Sequence, residues 1–255
     1  MSFKIKMQES AKSKNSRLVL ALDFPFEAIA NRENILVKSQ KVLKAVHPYV
    51  CAVKINHHLT LPLGTFAGVQ QLVEQIRGQG MLAIMDAKVN DIGNTNQIIA
   101  EYYFAAGFDA IIANPFVGWD EGLKPLFEVS KKLNRGVILL TYMSHKGASE
   151  GYGQTIIDAQ IGEKTLQYIS FAKKALMWGA DGVVVGATVP KIIAEVKQIL
   201  QDKVDIYSPG VGAQGGAAET AIKAGASYLI VGREITSSTD PATSARLLFE
   251  SIKGL

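Results

Sequence analysis

The chain has 255 residues, 48% of them hydrophobic and 20% charged, with a mean hydropathy of +0.14. That composition supplies ample material for a core and excludes disorder, while a single cysteine, Cys51, excludes a disulfide scaffold and a Cys-rich zinc site. The formal charge of +4 is confined to residues 1–17, where Lys4, Lys6, Lys12, Lys14 and Arg17 face only Glu9; the remainder balances, so no nucleic-acid-binding body is expected.

The chain opens with a polar, basic leader, residues 1–16. It has no apolar stretch of the secretory kind, and no run anywhere approaches the ~18 apolar residues of a membrane span. The leader reads as a solvated or docked terminus, with an interaction arm as the alternative. A cytoplasmic, enzyme-sized domain over residues 17–255 is the default reading.

Eight short β-branched, apolar runs follow: Arg17–Asp23, Cys51–Asn56, Met81–Lys88, Ala110–Pro115, Gly136–Met143, Asp181–Ala187, Asp205–Val211 and Tyr228–Glu234. They are nearly continuous rather than alternating, as strands covered by helices are. Amphipathic stretches lie between them, such as Ala67–Arg77, Lys164–Trp178 and Lys191–Leu200. Strand–helix alternation predicts a parallel sheet, and eight units in a chain of this length predict a single-domain (β/α)8 barrel. A doubly wound open sheet is the alternative, but the first strand ends in LALDFP without the glycine cluster of a phosphate loop. The fifth and sixth strands start 45 residues apart. Residues 144–154, rich in small and polar side chains, lie in that gap and read equally as a lid or a plain surface loop.

The most informative segment is MDAKVNDIGNT, residues 85–95. Asp86 and Lys88 are two apart on a strand and face the same side, into the barrel mouth, and Asp91 lies just beyond. Asp23 and Lys54 end the first two strands. Charges at the ends of three successive strands converge on one mouth in a barrel, which makes a site a better explanation than isolated surface pairs. The seventh strand runs into Ser208–Gly216 (SPGVGAQGG), and the eighth ends in Val231-Gly232-Arg233. Barrels bind phosphate with the loops after these strands, and arginine adds a bidentate charged contact. Cys51 reads as a small buried hydrophobe. His57, His58 and His145 lack metal-ligand spacing, and Trp119 and Trp178 read as packing residues.

On LALD, VKI, DAKVNDIGNT, PGVGAQGG and VGR, the sequence from Leu20 to Ile235 resembles the orotidine 5′-monophosphate decarboxylases. The Asp-x-Lys-x-x-Asp-Ile core is similar to that of sugar-phosphate relatives as well, including magnesium-dependent lyases, but the longer DIGNT and PGVGAQGG strings favour the orotidylate enzymes. VKIN followed by His57-His58 departs from the small residues expected after VKI. The resemblance implies conversion of orotidine 5′-monophosphate to uridine 5′-monophosphate and CO2, the last step of de novo UMP synthesis, without metal or cofactor. It implies that Lys54, Asp86, Lys88 and Asp91 form an alternating charge chain, with Lys88 as proton donor. Asp23 and Lys54 would hold ribose hydroxyls, and Ser144 would meet the pyrimidine edge. Gln214 would bridge pyrimidine-side contacts to the phosphate, Gly232 and Arg233 would bind the phosphate, and Pro209 would begin a closing loop. A homodimer is implied too, with Asp91, Ile92 and Thr95 reaching into the partner subunit's site.

Overall fold

The computed structural model describes residues 1–25, 31–158, 162–212 and 214–255. Eight parallel strands close into a barrel in the order β1 (Leu18–Ala21), β2 (Ala52–Ile55), β3 (Leu82–Val89), β4 (Ala110–Ala113), β5 (Gly136–Tyr142), β8 (Gly182–Val185), β9 (Asp205–Pro209) and β10 (Tyr228–Val231), with β10 pairing back to β1. Each coincides with one of the eight apolar runs. β1, β2, β4, β5, β8 and β10 are buried along their whole length, as the unbroken apolar runs require. The outer layer is formed by α2 (Arg32–Val46), α4 (Gln70–Gly78), α5 (Gly93–Ala105), α6 (Lys124–Lys132), α8 (Gln167–Trp178), α9 (Pro190–Leu200), α10 (Ala218–Lys223) and α12 (Pro241–Ser251).

Two helix boundaries differ from the periodicity. The apolar pattern places a helix over 67–77, but Gly64–Val69 forms an irregular π-type turn with Phe66 and Ala67 out of helical geometry, and α4 begins at Gln70. The pattern also places helix from Lys164, whereas Lys164–Leu166 is strand β7, paired antiparallel with β6 (Thr155–Ile157). This strand pair lies in the long gap before β8. Residues 144–154 carry the one-turn helix α7 (Ala148–Gly151), and Tyr152 is buried against the rings of Tyr142 and Phe171. The far end of that segment is therefore anchored by an aromatic cluster.

The leader is a docked helix. Phe3–Lys14 forms α1, capped by the Ser2 side chain, which accepts from the Ile5 N–H, and closed by Asn15 in the left-handed region at φ 48°. Phe3 and Met7 are fully buried at the N-terminal end of the barrel, with the Phe3 ring over Gly136 at the start of β5. Ser10 donates to the Cys51 carbonyl at 2.7 Å. The lysines have defined partners. Lys4 donates to the Asp202 and Lys203 carbonyls just beyond α9, Lys6 to the Asn134 carbonyl beyond α6 at 2.8 Å, and Lys14 to the Gln79 carbonyl beyond α4 at 2.8 Å. Helices of a parallel barrel present their C-termini, with unpaired carbonyls and partial negative charge, to this end. The basic excess of the leader is thus used inside the molecule, three ammonium groups each joining α1 to the end of a different helix. Phe3→Ala is expected to cost about 3–5 kcal/mol, the range for deleting a buried ring. Urea unfolding checks it, and a loss below 1 kcal/mol would show that α1 is not part of the cooperative fold.

Candidate active site

The C-terminal ends of the strands surround a cavity of about 220 Å³. Its charged floor comes from β2 and β3. Lys54 is the penultimate residue of β2 and is 6% exposed; Asp86 lies in β3 and is 7% exposed. The Asp86 carboxylate bridges two ammonium groups, Oδ2 to Lys54 Nζ at 2.7 Å and Oδ1 to Lys88 Nζ at 2.7 Å. Burial favours the neutral form of both Lys54 and Asp86, but their charged neighbours outweigh it. Asp86 and then Asp23 hold Lys54 above the ordinary lysine range, and Lys54 with Lys88 holds Asp86 below the ordinary carboxylate range. The Lys88 side chain remains 39% exposed, so this ammonium faces the cavity and solvent.

The backbone that aims this pair is unusual. β3 pairs with β4 at Met85↔Ile111 and next at Val89↔Ala113, so β3 carries two more residues than β4 over that interval. Lys88 sits in this bulge at φ 50°, the left-handed region that L-residues rarely occupy. A flat period-two strand already points both side chains one way. Within this bulge the Lys88 ammonium reaches the Asp86 oxygen, so the strained backbone lies at the cavity itself.

The other predicted residues distribute between two places. Asp23, Ser144, Pro209, Gln214, Gly232 and Arg233 line the same cavity as Lys54, Asp86 and Lys88. Asp23 Oδ1 is buried with no hydrogen-bond partner among the described residues. Ser144 follows β5, and its carbonyl accepts from Thr188 Oγ1 at 3.1 Å. Gly210, at φ 96°, separates Ser144 from Gln214; a Cβ there would stand 2.9 Å from both Ser144 Cβ and Gln214 Oε1. Ala213 of the glycine-rich loop lies outside the described residues. Arg233 opens α11 (Arg233–Thr236), is exposed, and makes no ion pair among the described residues. Asp91, Ile92 and Thr95 do not join this cavity. Asp91 is exposed at the start of α5, its carboxylate accepts from the Ile92 N–H at 2.7 Å, and it makes no ion pair with Lys88 within the chain.

The sequence reading missed Asn56, which also lines the cavity. Its Oδ1 accepts from the His58 N–H at 2.8 Å and caps α3 (His57–Leu63). Asparagine directly before a helix is a capping signal, so the departure at VKIN has a structural cause. His57 and His58 are exposed in the first turn of α3. Cys51 is buried, its thiol pushed up to about 12 by desolvation, which leaves it inert at neutral pH. Trp119 and Trp178 stack on each other at 5.1 Å on the outer wall. Among the described residues no three His, Cys, Asp or Glu side chains converge as a metal-ligand set. No helix among them is long and apolar enough to cross a membrane.

Residues 16–248 match the model of the orotidine 5′-phosphate decarboxylase / HUMPS family. The chain belongs to this family. The orotidine 5′-phosphate decarboxylase of Methanosarcina acetivorans is 36% identical over 94% of this chain and 96% of its own. The crystal structure of orotidine 5′-phosphate decarboxylase from Pyrococcus horikoshii OT3 superposes with a TM-score of 0.75 at 33% identity, covering 93% of this chain and 100% of that one. The Methanocaldococcus jannaschii orotidine 5′-monophosphate decarboxylase, solved with the inhibitor BMP, gives a TM-score of 0.75 at 32% identity over 92% of this chain and 97% of its own. The family's barrel and the barrel described above are the same architecture, and the matched region contains every cavity residue named here.

Proposed function

We propose that the protein decarboxylates orotidine 5′-monophosphate to uridine 5′-monophosphate and CO2, closing de novo UMP synthesis in the cytoplasm. The observation that carries this reading is the Asp86 carboxylate gripping Lys54 and Lys88 on the floor of a cavity also lined by Arg233, which has no ion pair among the described residues. The relatives' names and the shared architecture support it.

The chemistry asks for this arrangement. When the bond from C6 to the carboxylate breaks, the electron pair stays on C6 and CO2 leaves. No carbonyl is placed to absorb that pair as an enolate, so the charge is met electrostatically. The Lys88 ammonium faces it and then gives its proton to C6, and the neutral amine regains a proton from solvent through its exposed side. Asp86 orients Lys88 and, near the departing carboxylate, adds ground-state repulsion. Asp23 offers its unpartnered oxygen, and Lys54 its ammonium, to ribose hydroxyls. Ser144 meets the pyrimidine edge, Gln214 links that edge to the phosphate loop begun by Pro209, and Gly232 with Arg233 takes the phosphate.

One preorganised contact contributes ~3–4 kcal/mol, whereas enzymes supply ~8–23 kcal/mol and this reaction lies toward the upper end. Binding energy from the remote phosphate therefore has to be used in closing the site. The charge chain is completed by Asp91 of a second copy, with Ile92 and Thr95 beside it. Ile92, Phe66 and Tyr102 are 66%, 56% and 58% exposed, with Phe66 and Tyr102 in edge contact at 5.9 Å, an apolar face suited to that dimer.

Loss of the orotate chromophore on incubation with orotidine 5′-monophosphate tests the reading; folded protein with no turnover would overturn it. Arg233→Ala is expected to lower kcat/KM for the nucleotide by about 10²–10³-fold, as losing one charged anchor of the closed state does. The phosphate-free nucleoside should be turned over equally by both proteins, and equal losses on both substrates would contradict the phosphate role.

A further inference from the structure

We propose that Asn96 is the positioning residue that presents Asp91 and Ile92 to the partner subunit's site. The inference rests on the shared-site reading above and names what holds the shared element in shape. Asn96 lies one turn into α5 and is fully buried. Its amide grips the backbone of a single residue from both sides. Oδ1 accepts from the Asp91 N–H at 3.0 Å, and Nδ2 donates to the Asp91 carbonyl. The second Nδ2 hydrogen donates to the Gly122 carbonyl at 2.9 Å, on the turn Trp119–Leu123.

That turn is itself a fixed support. Glu121 occupies the left-handed region at φ 54°, and Gly93 packs so closely on it that a Cβ would stand 3.0 Å from the Glu121 carbonyl oxygen. The segment 91–93 is thus pinned at Asp91 by Asn96 and at Gly93 by the turn, while the side chains of Asp91 and Ile92 project outward. Asn96 uses both amide hydrogens and its oxygen on this task, and none of them reaches the cavity of its own chain. A buried asparagine is costly to desolvate unless its amide is fully paired, and here all of its pairing goes to Asp91 and Gly122. Holding a loop that serves a neighbouring site accounts for it.

The test is subunit complementation. Asn96→Asp keeps the volume and the Oδ acceptor but replaces the donor that holds the two carbonyls; Asn96→Ser removes the grip. Each homodimer is expected to lose about 100-fold in kcat/KM, the scale of an ångström-level misplacement. Heterodimers with Lys88→Ala chains, isolated through two different affinity tags, should regain roughly half the wild-type rate per dimer, because one of the two symmetric sites then combines an intact Lys88 with an intact Asn96 and Asp91. Asp91→Ala paired with Lys88→Ala is the reference. If that pair recovers and the Asn96 pairs do not, Asn96 acts on its own chain and the assignment falls alone. If the reference pair also stays inactive, the shared site falls, and the assignment with it. Wild-type rates for both homodimers, or failure of both variants to assemble, would equally overturn it.

Discussion

Lys88→Ala is expected to lower kcat by about 10⁴–10⁷-fold, the product of losing proton delivery and one preorganised charge contact. Nucleotide binding should survive, since the ribose and phosphate contacts proposed for Asp23, Lys54 and Arg233 are untouched. Lys88→Gly makes the interpretation clean. Lys88 adopts φ 50°, a conformation that costs a side-chain-bearing residue about 1–2 kcal/mol and glycine almost nothing. The glycine variant should therefore be as inactive as the alanine variant, yet more stable than it to urea. Stopped assays with a titrated site concentration check both rates. A residual rate within 100-fold of wild type would remove Lys88 as the proton donor. A glycine variant less stable than the alanine variant would remove the strain argument.

Asp86→Asn should be the most destabilising single change at the site. It removes the negative charge 2.7 Å from the buried Lys54 ammonium, and leaving such a charge uncompensated costs about 3–5 kcal/mol. The pH dependence of wild-type stability carries the same information. Asp86 sits below its unfolded value, so its contribution is complete above roughly pH 4 and is lost as pH falls through the folded value. Lys54 sits above its unfolded value, so its contribution is complete below roughly pH 10 and is lost as pH rises through the folded value. The pair therefore predicts a plateau across the neutral range, with an acid-side fall that Asp86→Asn diminishes. Urea midpoints measured across pH check this, and an unchanged acid limb in the variant would contradict it.

Much of this was legible in the residues themselves. Fully covered parallel strands leave unbroken apolar runs, so all eight barrel strands appear in the sequence, as do the charges near the C-terminal ends of β1, β2 and β3. Other features were not. The hairpin of β6 and β7 is three residues on each side, too short for any periodicity to register, and its second strand merges into the amphipathic pattern of α8. The docking of α1 depends on two buried side chains, Phe3 and Met7, in an otherwise polar segment, and on backbone carbonyls that no residue pattern encodes. The bulge at Lys88 is invisible because lysine, unlike glycine, gives no sign of a left-handed backbone. Asn56 and Asn96 share a further reason. Each acts through hydrogen bonds to backbone groups, so its side chain is read as ordinary polarity until those partners are in place.

In the proposed reaction, charge placement alone, with Lys88 at its focus, carries out the decarboxylation. Its most direct test is the rate of orotidine 5′-monophosphate turnover by protein dialysed exhaustively against EDTA. The account predicts a rate equal to that of the untreated protein, unchanged by added Mg²⁺. A rate abolished by the chelator and restored by Mg²⁺ would contradict it and turn the same cavity toward the metal-assisted chemistry of sugar-phosphate lyases.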